Sequence, residues 1–407
     1  MDYFTVLNYQ GSKKNLIEFI HESLNAYIDE TDIILDIFCG TCSVGYSYKR
    51  SNTVFANDTE KYAQIIASAL LGPGIDSLNV FNVELYKHNL NRNLAPFQED
   101  VSKEKLYLNN RETKNLISLY REFKTIWNSD IIQTLDKSRY QLFVSYYSTS
   151  YFGIRQAIEI DSIRETIETC DDCNRDVLLT CLFFAMKECV FSKDGHMAQP
   201  LDLEKNSVRL INQREKSIYS YFVDKLSDFL KGVFPLGKAG NKTFNEDFES
   251  AIKNKIIQDD VTVIYADPPY TDMQYSRYYH LLNTVIDYNY PKPTVSRGKY
   301  TKGLYLENRF QSQLSRKSSC LDSMKKLIEF SKKYNKTLAI SFAYPQNRDA
   351  QKTDRYVMSI DDLIESCKKE FGTDKVHVKK VNYQHSNNRN SETKKVLEYL
   401  IICERER

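Results

Sequence analysis

The stretch that decides the fold is Val261-Thr262-Val263-Ile264-Tyr265-Ala266-Asp267-Pro268-Pro269-Tyr270. Its first six residues are apolar or β-branched, a pattern typical of a buried strand. Two consecutive prolines then end the strand, because proline has no N–H group to donate to a neighbouring strand. The strand end therefore carries a carboxylate (Asp267), a backbone carbonyl (Pro268) and an aromatic ring (Tyr270). Ligands bind at this edge of open α/β sheets, and two acceptors beside a ring suit a flat heteroaromatic amine such as adenine.

Helix and strand patterns alternate over residues 1–90. Apolar residues at helical spacing occupy 14–27, buried-strand runs occupy 33–38 and 53–58, and a second helix pattern covers about 60–71. This order is that of a βαβ unit with a parallel sheet. Strand patterns return at 261–266, 337–342 and 395–402, after a long stretch of helical patterns. We therefore expect one α/β domain formed by 1–90 and 236–407, interrupted by a mostly helical insert at 91–235.

Composition describes an ordinary globular protein of 407 residues, with 42% hydrophobic and 27% charged residues and a formal net charge of +2. No apolar stretch reaches the roughly 18 residues that a membrane span needs. The N-terminus lacks the basic start and apolar core of a signal peptide. We therefore expect a cytoplasmic protein with no membrane partner.

Nine cysteines without a secretion signal indicate reduced thiols. The pairs Cys39/Cys42 and Cys170/Cys173 have CxxC spacing, and together they could in principle form a four-thiolate zinc site. Against this, the first pair lies inside a glycine turn, and the second lies in an acidic link between helical stretches. We expect no metal.

The first strand leads into Asp36-Ile37-Phe38-Cys39-Gly40-Thr41-Cys42-Ser43-Val44-Gly45. A glycine turn lets the backbone approach a ligand at the start of a helix, and Asp58, which ends the second strand, can accept hydrogen bonds from ribose hydroxyls. A dinucleotide is disfavoured, because Cys42 stands where that pattern has its second glycine and Asp36 would repel a pyrophosphate. A cofactor with a cationic centre and an amino group, S-adenosylmethionine, is favoured instead.

On these residues the chain resembles the α-class adenine-N6 DNA methyltransferases of the DNA adenine methylase type. Motifs that resemble those of the family occur in the family's order: Asn8 to Lys14, Asp36-x-Phe38-x-Gly40, Asn57-Asp58, Asn245 to Phe248, and Asp267 to Tyr270. Residues 151–164 and Gly195-His196 resemble the helical region of members from restriction–modification systems. The chain departs from the family at Cys42, where a second glycine is usual.

The resemblance implies a Rossmann-like S-adenosylmethionine-dependent methyltransferase that modifies N6 of a flipped-out adenine in a short sequence of double-stranded DNA. The helical insert would recognise the target, and a restriction endonuclease sharing the same site is a possible partner. A phage or orphan methylase is an alternative setting. The implied catalytic residues are Asp267, Pro268, Pro269 and Tyr270, and the implied cofactor residues are Tyr9, Gly11, Lys13, Asp36, Phe38, Gly40, Asp58 and Asp247.

DNA contacts are predicted mainly from charge. Residues 291–318 carry seven Lys or Arg side chains against the single acid Glu307, with aromatic residues interleaved. Such a run is either a solvated loop or a phosphate-contacting arm. We predict the second, with DNA contacts from Arg297 and Lys299, and further contacts from His196 and Arg389. Base-reading candidates in the insert are Arg155, Gln156, His196 and Asn206.

Alternatives remain within and beyond this chemistry. Methyltransferases of protein glutamine favour Asn at the first position of the tetrapeptide and cytosine-N4 enzymes favour Ser, so Asp267 favours adenine. An RNA methyltransferase of the same fold stays open. A non-catalytic nucleic-acid-binding relative is a further alternative. It is disfavoured by four intact residues: Asp36, Asp58, Asp267 and Tyr270.

Overall fold

A computed structural model describes residues 7, 13–72, 78–129, 135–231, 237–272, 275–307, 310–346, 356–383 and 396–406. The predicted site residues Tyr9, Gly11 and Arg389 lie outside these ranges. The chain divides into two compact units, which are described separately below. The α/β unit comprises 1–73, 235–274 and 310–407, and the helical unit comprises 74–234 and 275–309.

Seven strands of the α/β unit form one sheet of order β3-β2-β1-β4-β7-β9-β8, and two short strands of the helical unit form a ribbon. In chain order the strands are β1 (Ile33–Asp36), β2 (Thr53–Asn57), β3 (Lys242–Phe244), β4 (Val263–Ala266), β5 (Val295–Ser296), β6 (Lys299–Tyr300), β7 (Thr337–Pro345), β8 (Val376–Tyr383) and β9 (Val396–Cys403). Pairing is parallel from β3 to β7 and antiparallel at β7–β9 and β8–β9. The predicted α/β class is confirmed.

The central strands are apolar because helices cover both faces of a parallel sheet. All four residues of β4 and all nine of β7 are buried. The helices of this unit are Ile17–Leu24, Ser43–Tyr48, Lys61–Leu71, Phe248–Ala251, Lys255–Asp260, Cys320–Lys333 and Ile360–Phe371. Met324 and Leu327, on one face of the helix Cys320–Lys333, belong to the same core as Ile264 of β4.

The helical unit contains ten α-helices within the described ranges, together with the β5–β6 ribbon. The helices are Val83–Leu94, Gln98–Asn109, Thr113–Glu122, Leu142–Tyr146, Ile154–Ile167, Asp172–Cys189, Ser207–Arg214, Ile218–Leu230, Tyr275–Tyr278 and His280–Asp287. Within the ranges described, none of the helices combines the length and apolar character needed to span a bilayer.

The division of the chain differs from the predicted boundaries at residues 275–309, which group with the helical unit. A buried polar network explains this grouping. The carboxylate of Asp161 accepts hydrogen bonds from the backbone N–H groups of Phe143 and Val144, at 2.8 and 3.0 Å, and from the Tyr288 hydroxyl. Arg164 donates to the carbonyls of Val285 and Ile286. Two motif residues of the insert therefore hold the segment that follows the proline-containing strand end.

Glu104 performs a similar structural task for the helix Ile154–Ile167. Its side chain is buried, with 2% exposure. Its carboxylate oxygens accept hydrogen bonds from the backbone N–H groups of Ile154 and Arg155 at 2.8 and 2.9 Å, and from the Tyr120 hydroxyl. A negative charge at a helix N-terminus also interacts favourably with the helix dipole.

Replacing Glu104 by alanine is expected to lower the free energy of unfolding by about 3 kcal/mol, because buried donors lose their acceptor. Chemical denaturation monitored by circular dichroism measures the change. The matched control is Glu99→Ala on the same helix, where the side chain is 82% exposed, with an expected change within about 0.5 kcal/mol. Equal effects from the two substitutions would contradict the capping role of Glu104.

Candidate active site

The site lies where the strand order of the sheet reverses. From β1 the chain continues to β2 and β3 on one side, whereas β4 leads to β7 on the other. β1 and β4 are adjacent and parallel, with Asp36 opposite Tyr265. Asp36 and Asp267 therefore stand at the same edge of the sheet. A crevice forms at such a switch point, outside the carboxyl ends of the strands.

The glycine turn after β1 is held by two carboxylates. The Gly45 N–H donates to Asp36 Oδ2 at 3.1 Å, and the Gly40 N–H donates to Asp58 Oδ2 at 2.9 Å. Gly40 has a φ of 51°, in the left-handed region that glycine adopts at little cost. The predicted residues Asp36, Gly40 and Asp58 are thus brought together.

The conformation of Cys42 shows how the turn accommodates a cysteine where the family usually has a glycine. Its φ is 56° and its side chain is buried, so it adopts the left-handed conformation that favours glycine. For a residue with a Cβ this conformation costs about 1–2 kcal/mol. The backbone geometry is therefore one that glycine would also adopt, and the thiol fills space beside it.

Negative charge is concentrated at this edge. Burial raises the pKa of Asp36 to about 7; the Gly45 N–H opposes the rise, and the charges of Asp267 and Asp58 add to it. Burial also raises the pKa of Asp58, against hydrogen bonds from the N–H groups of Glu60 and Gly40. A cationic ligand would relieve the repulsion among these acids, whereas a pyrophosphate would increase it. These carboxylates fit a ligand with positive charge, such as a sulfonium compound with an amino group.

Asp247 lies at the start of the short helix Phe248–Ala251 and caps it. Its side chain accepts hydrogen bonds from the Glu249 and Ser250 N–H groups at 3.1 and 3.2 Å, and from the Ser250 hydroxyl at 2.7 Å. The Phe38 ring lies 6.1 Å from the Phe248 ring, centroid to centroid. The structure thus gives Asp247 a capping role, and its contact with a cofactor stays a prediction.

Asn57 and Asn245 tie the Asp247 loop to the end of β2. The Asn57 amide donates to the Glu246 carbonyl at 3.0 Å and accepts from the Glu246 N–H at 3.1 Å. The Asn245 amide donates to the Asp58 carbonyl at 2.8 Å. In the sequence, Asn57 stands beside Asp58 and Asn245 stands two positions before Asp247. The role of the two asparagines in holding this loop was not predicted.

The tetrapeptide Asp267-Pro268-Pro269-Tyr270, which is predicted to be catalytic, is held on the sheet by its aromatic end. The Tyr270 ring lies 6.2 Å from that of Phe342 and 6.5 Å from that of Tyr356, centroid to centroid. The Tyr270 carbonyl accepts a hydrogen bond from the Val357 N–H at 3.2 Å. Pro268 is buried and Pro269 is half-buried. Within the part of the chain that the structure describes, no donor is bonded to the Pro268 carbonyl.

Lys13, predicted to be a cofactor residue, lies beside Asp267. Its ammonium lies 3.1 Å from Asp267 Oδ1 and 2.8 Å from Glu398 Oε1, and 5.6 Å from the centre of the Tyr270 ring. Burial lowers the pKa of Lys13, but the two carboxylates outweigh that effect and raise it well above its ordinary value. Two buried carboxylates thus hold the charge of Lys13 beside Asp267, and its contact with a cofactor stays a prediction.

Two of the residues predicted to contact DNA are exposed on the ribbon of the helical unit. Arg297 and Gly298 have φ angles of 51° and 75° and connect Ser296 to Lys299, as in a two-residue type I′ hairpin turn. Arg297 and Lys299 therefore stand at the tip of the ribbon. His196 is half-buried, with its ring against Tyr278 at 4.9 Å.

Among the predicted base-reading residues, the prediction for Gln156 is wrong, because its side chain is buried and bonded within the protein. It is 1% exposed, its amide nitrogen donates to the carbonyls of Gln213 and Lys216, and its oxygen accepts from the Gly153 N–H. Arg155 is exposed and pairs with Glu159.

Within the described ranges, no three His, Cys, Asp or Glu side chains are grouped as metal ligands.

The chain is similar to a known protein family and to several known methyltransferases. A profile of the family described as D12 class N6 adenine-specific DNA methyltransferase matches residues 9–336. The chain is 26% identical to the type II methyltransferase M.FokI of Planomicrobium okeanokoites, over 70% of this chain and 38% of that protein. It is also 26% identical to the modification methylases StsI of Streptococcus sanguinis, over 98% and 52% of the two chains, and LlaI of Lactococcus lactis subsp. lactis, over 73% and 41%. The chain spans about half the length of these relatives, or less.

Proposed function

Because the chain belongs to the D12 class N6 adenine-specific DNA methyltransferase family, we propose that it transfers a methyl group from S-adenosylmethionine to N6 of adenine in a short sequence of duplex DNA. The observation that carries the proposal is the meeting of two parts at one sheet edge. The Asp36–Gly40 turn supplies the cofactor side, and Asp267 with the Pro268 carbonyl supplies the acceptor side.

The acceptor side answers a chemical difficulty. The exocyclic nitrogen of adenine is a poor nucleophile, because its lone pair is delocalised into the ring. Asp267 and the Pro268 carbonyl accept hydrogen bonds from its two N–H groups, which draws the nitrogen toward a tetrahedral geometry with an available lone pair. Tyr270 stacks on the purine and helps to hold the base outside the duplex. Positioning is the main catalytic device.

On the cofactor side, Asp36 attracts the positive charge and Asp58 accepts hydrogen bonds from ribose hydroxyls. When bound, S-adenosylmethionine supplies an electrophilic methyl group on a sulfonium centre. Direct transfer would break one carbon–sulfur bond, whose electron pair stays on sulfur as a neutral thioether, and would form one carbon–nitrogen bond with the lone pair of N6. The extra proton on N6 would then pass to solvent. Burial raises the pKa of the Cys39 and Cys42 thiols well above the ordinary value, so both stay protonated, in keeping with a reaction that needs no cysteine nucleophile.

The helical unit and its ribbon would choose the target sequence, with Arg297 and Lys299 on DNA phosphates. Two of the relatives are named modification methylases. We therefore propose that this chain also acts in a restriction–modification system, together with a cognate endonuclease that recognises the same DNA site. We propose a cytoplasmic location for it. RNA as the substrate is the second candidate, and competition between RNA and duplex DNA for a labelled methyl group distinguishes the two.

The double substitution Arg297→Ala and Lys299→Ala is expected to weaken DNA binding about equally for all sequences. It should also reduce the slope of log K against log salt by about 2, since each phosphate contact contributes about 0.9. Fluorescence anisotropy over a salt series measures both effects. The matched control is Lys103→Ala, an exposed lysine already paired with Glu99 at 2.6 Å. An unchanged slope in the double variant would exclude these phosphate contacts.

The function is tested most completely by expressing the chain in a host without adenine methylation and sequencing methylated adenines in its DNA. We expect N6-methyladenine within one short sequence, and a much smaller modified fraction in cells that express Asp267→Asn at the same level. Methylation of cytosine, or unmodified DNA in cells that hold the folded chain, would refute the proposal.

A further inference from the structure

Glu398 is a carboxylate in an unusual place. It lies within β9, opposite Ala343 of β7 and Val381 of β8, and its side chain is 0% exposed. Removing a carboxylate from water costs several kcal/mol unless charges and hydrogen bonds compensate. A sheet needs no acid at such a position, so the partners of Glu398 indicate its purpose.

Those partners lead directly to the catalytic tetrapeptide. Glu398 Oε1 accepts hydrogen bonds from the Lys13 ammonium at 2.8 Å and from the Ser341 hydroxyl at 2.6 Å. The same ammonium lies 3.1 Å from Asp267 Oδ1. Lys13 is 5% exposed, so this chain of contacts runs through the interior from β9 to the end of β4.

The arrangement fixes a side chain that is flexible by nature. A lysine ammonium is a point charge on a four-carbon stem, with three donors that turn freely. Held by Asp267 alone, it would follow that carboxylate as it rotates. Held also by Glu398, which Ser341 restrains, it occupies one position and engages one oxygen of Asp267.

We propose that Glu398 is a positioning residue for methyl transfer: it anchors the Lys13 ammonium against Oδ1 of Asp267 and so turns Oδ2 toward the target amine. The role rests on the proposed function, because it assigns Asp267 to the adenine amine. Glu398 itself touches neither substrate nor cofactor in this account.

The proposal predicts the direction in which the pKa of Asp267 changes when Glu398 loses its charge. Burial raises the pKa of Asp267 to about 7, Lys13 lowers it and Glu398 raises it. Among the residues that the structure describes, the other titratable groups facing Asp267 are Tyr265 beside it on β4 and Asp36 on β1. Replacing Glu398 by glutamine removes one negative charge while keeping an oxygen for Lys13 and Ser341. The pKa of Asp267 should therefore fall.

The test compares Glu398→Gln with Glu398→Leu in single-turnover methylation of duplex DNA. Glu398→Gln should keep the single-turnover rate constant within about threefold and move the acid limb of its pH profile to lower pH. Glu398→Leu should lower that rate constant at least about tenfold with the affinity for DNA unchanged. The matched control, Glu404→Gln just beyond β9, should change neither. An unmoved acid limb in Glu398→Gln would overturn the proposal, whether or not Glu398→Leu folds.

A second readout separates this proposal from the proposed function. The carboxyl carbon of Asp267, labelled with ¹³C and assigned by its loss in Asp267→Asn, reports the titration of that side chain without any methylation. A lower midpoint in Glu398→Gln than in the wild-type chain supports the positioning role, and an identical midpoint overturns it. Failure of the wild-type chain to methylate adenine would count against the proposed function alone.

Discussion

Replacing Asp267 by asparagine is expected to lower kcat for adenine methylation by about 10²–10³-fold, the range for losing one preorganised electrostatic contact in a transition state. Asparagine has the same size but lacks the charge, and the Lys13 ammonium beside it then faces Glu398 alone. The nitrogen of the target amine loses its stronger acceptor. Single-turnover transfer of a labelled methyl group measures the effect.

The affinity of Asp267→Asn for S-adenosylmethionine should stay within a few-fold of the wild-type value, because the cofactor side of the site is unchanged. The matched control is Asp272→Asn, an exposed acid two positions beyond Tyr270, with unchanged kcat expected. Full activity in Asp267→Asn would show that another group accepts the amine protons.

Replacing Asp36 by asparagine is expected to weaken S-adenosylmethionine binding by about 10–100-fold, or about 1.4–2.8 kcal/mol. The amide can still accept the hydrogen bond from the Gly45 N–H, which holds the turn, but it offers no charge to the sulfonium and amino groups. Isothermal titration calorimetry measures the affinity. The control Asp322→Asn, on an exposed site of the helix Cys320–Lys333, should bind normally. Equal affinities for wild type and Asp36→Asn would place the cofactor's charge elsewhere.

The pH dependence of binding follows from the same carboxylate. With a pKa of about 7 in the free protein, Asp36 is increasingly protonated as the pH falls below 7. A bound cation favours the ionised form and lowers this pKa, so binding releases protons below pH 7. The affinity should therefore rise with pH up to about 7 and then level off, with Asp267 contributing in the same direction. Asp36→Asn should show a shallower rise, and an affinity that falls as pH rises would contradict this assignment.

Much of the fold followed from local pattern. The apolar run from Val261 to Ala266, closed by two prolines, could only be a strand that ends abruptly, and the glycine turn at Gly40 marked a strand-to-helix connection. Both signals depend on residues that are neighbours in the chain. For the same reason the α/β class and the acids at the strand ends could be predicted together.

What could not be predicted depends on contacts between distant parts of the chain. Lys13, Asp267 and Glu398 meet in space, but nothing around Lys13 in the sequence indicates that its partner is a buried acid on the last strand. The signal was Glu398 itself, a charge inside an apolar run. Gln156 was misjudged because a polar side chain on a helix can serve internal carbonyls as readily as DNA.

The same reason explains the boundary of the helical unit. Residues 275–309 begin shortly after Tyr270, yet their polar partners, Asp161 and Arg164, lie more than a hundred positions earlier in the sequence. Sequence proximity to Tyr270 therefore suggested membership of the α/β domain. Hydrogen bonds of Tyr288, Val285 and Ile286 instead join this segment to the helical unit.

The most direct test of the central claim is to incubate the purified chain with methyl-labelled S-adenosylmethionine and unmethylated duplex DNA, with RNA and the protein itself as competing acceptors, and to identify the labelled product by nucleoside and amino-acid analysis. We expect the label to appear as N6-methyladenine in DNA, and we expect Asp267→Asn to form it about 10²–10³-fold more slowly. Label that appears only in RNA, in protein or as N4-methylcytosine would contradict it.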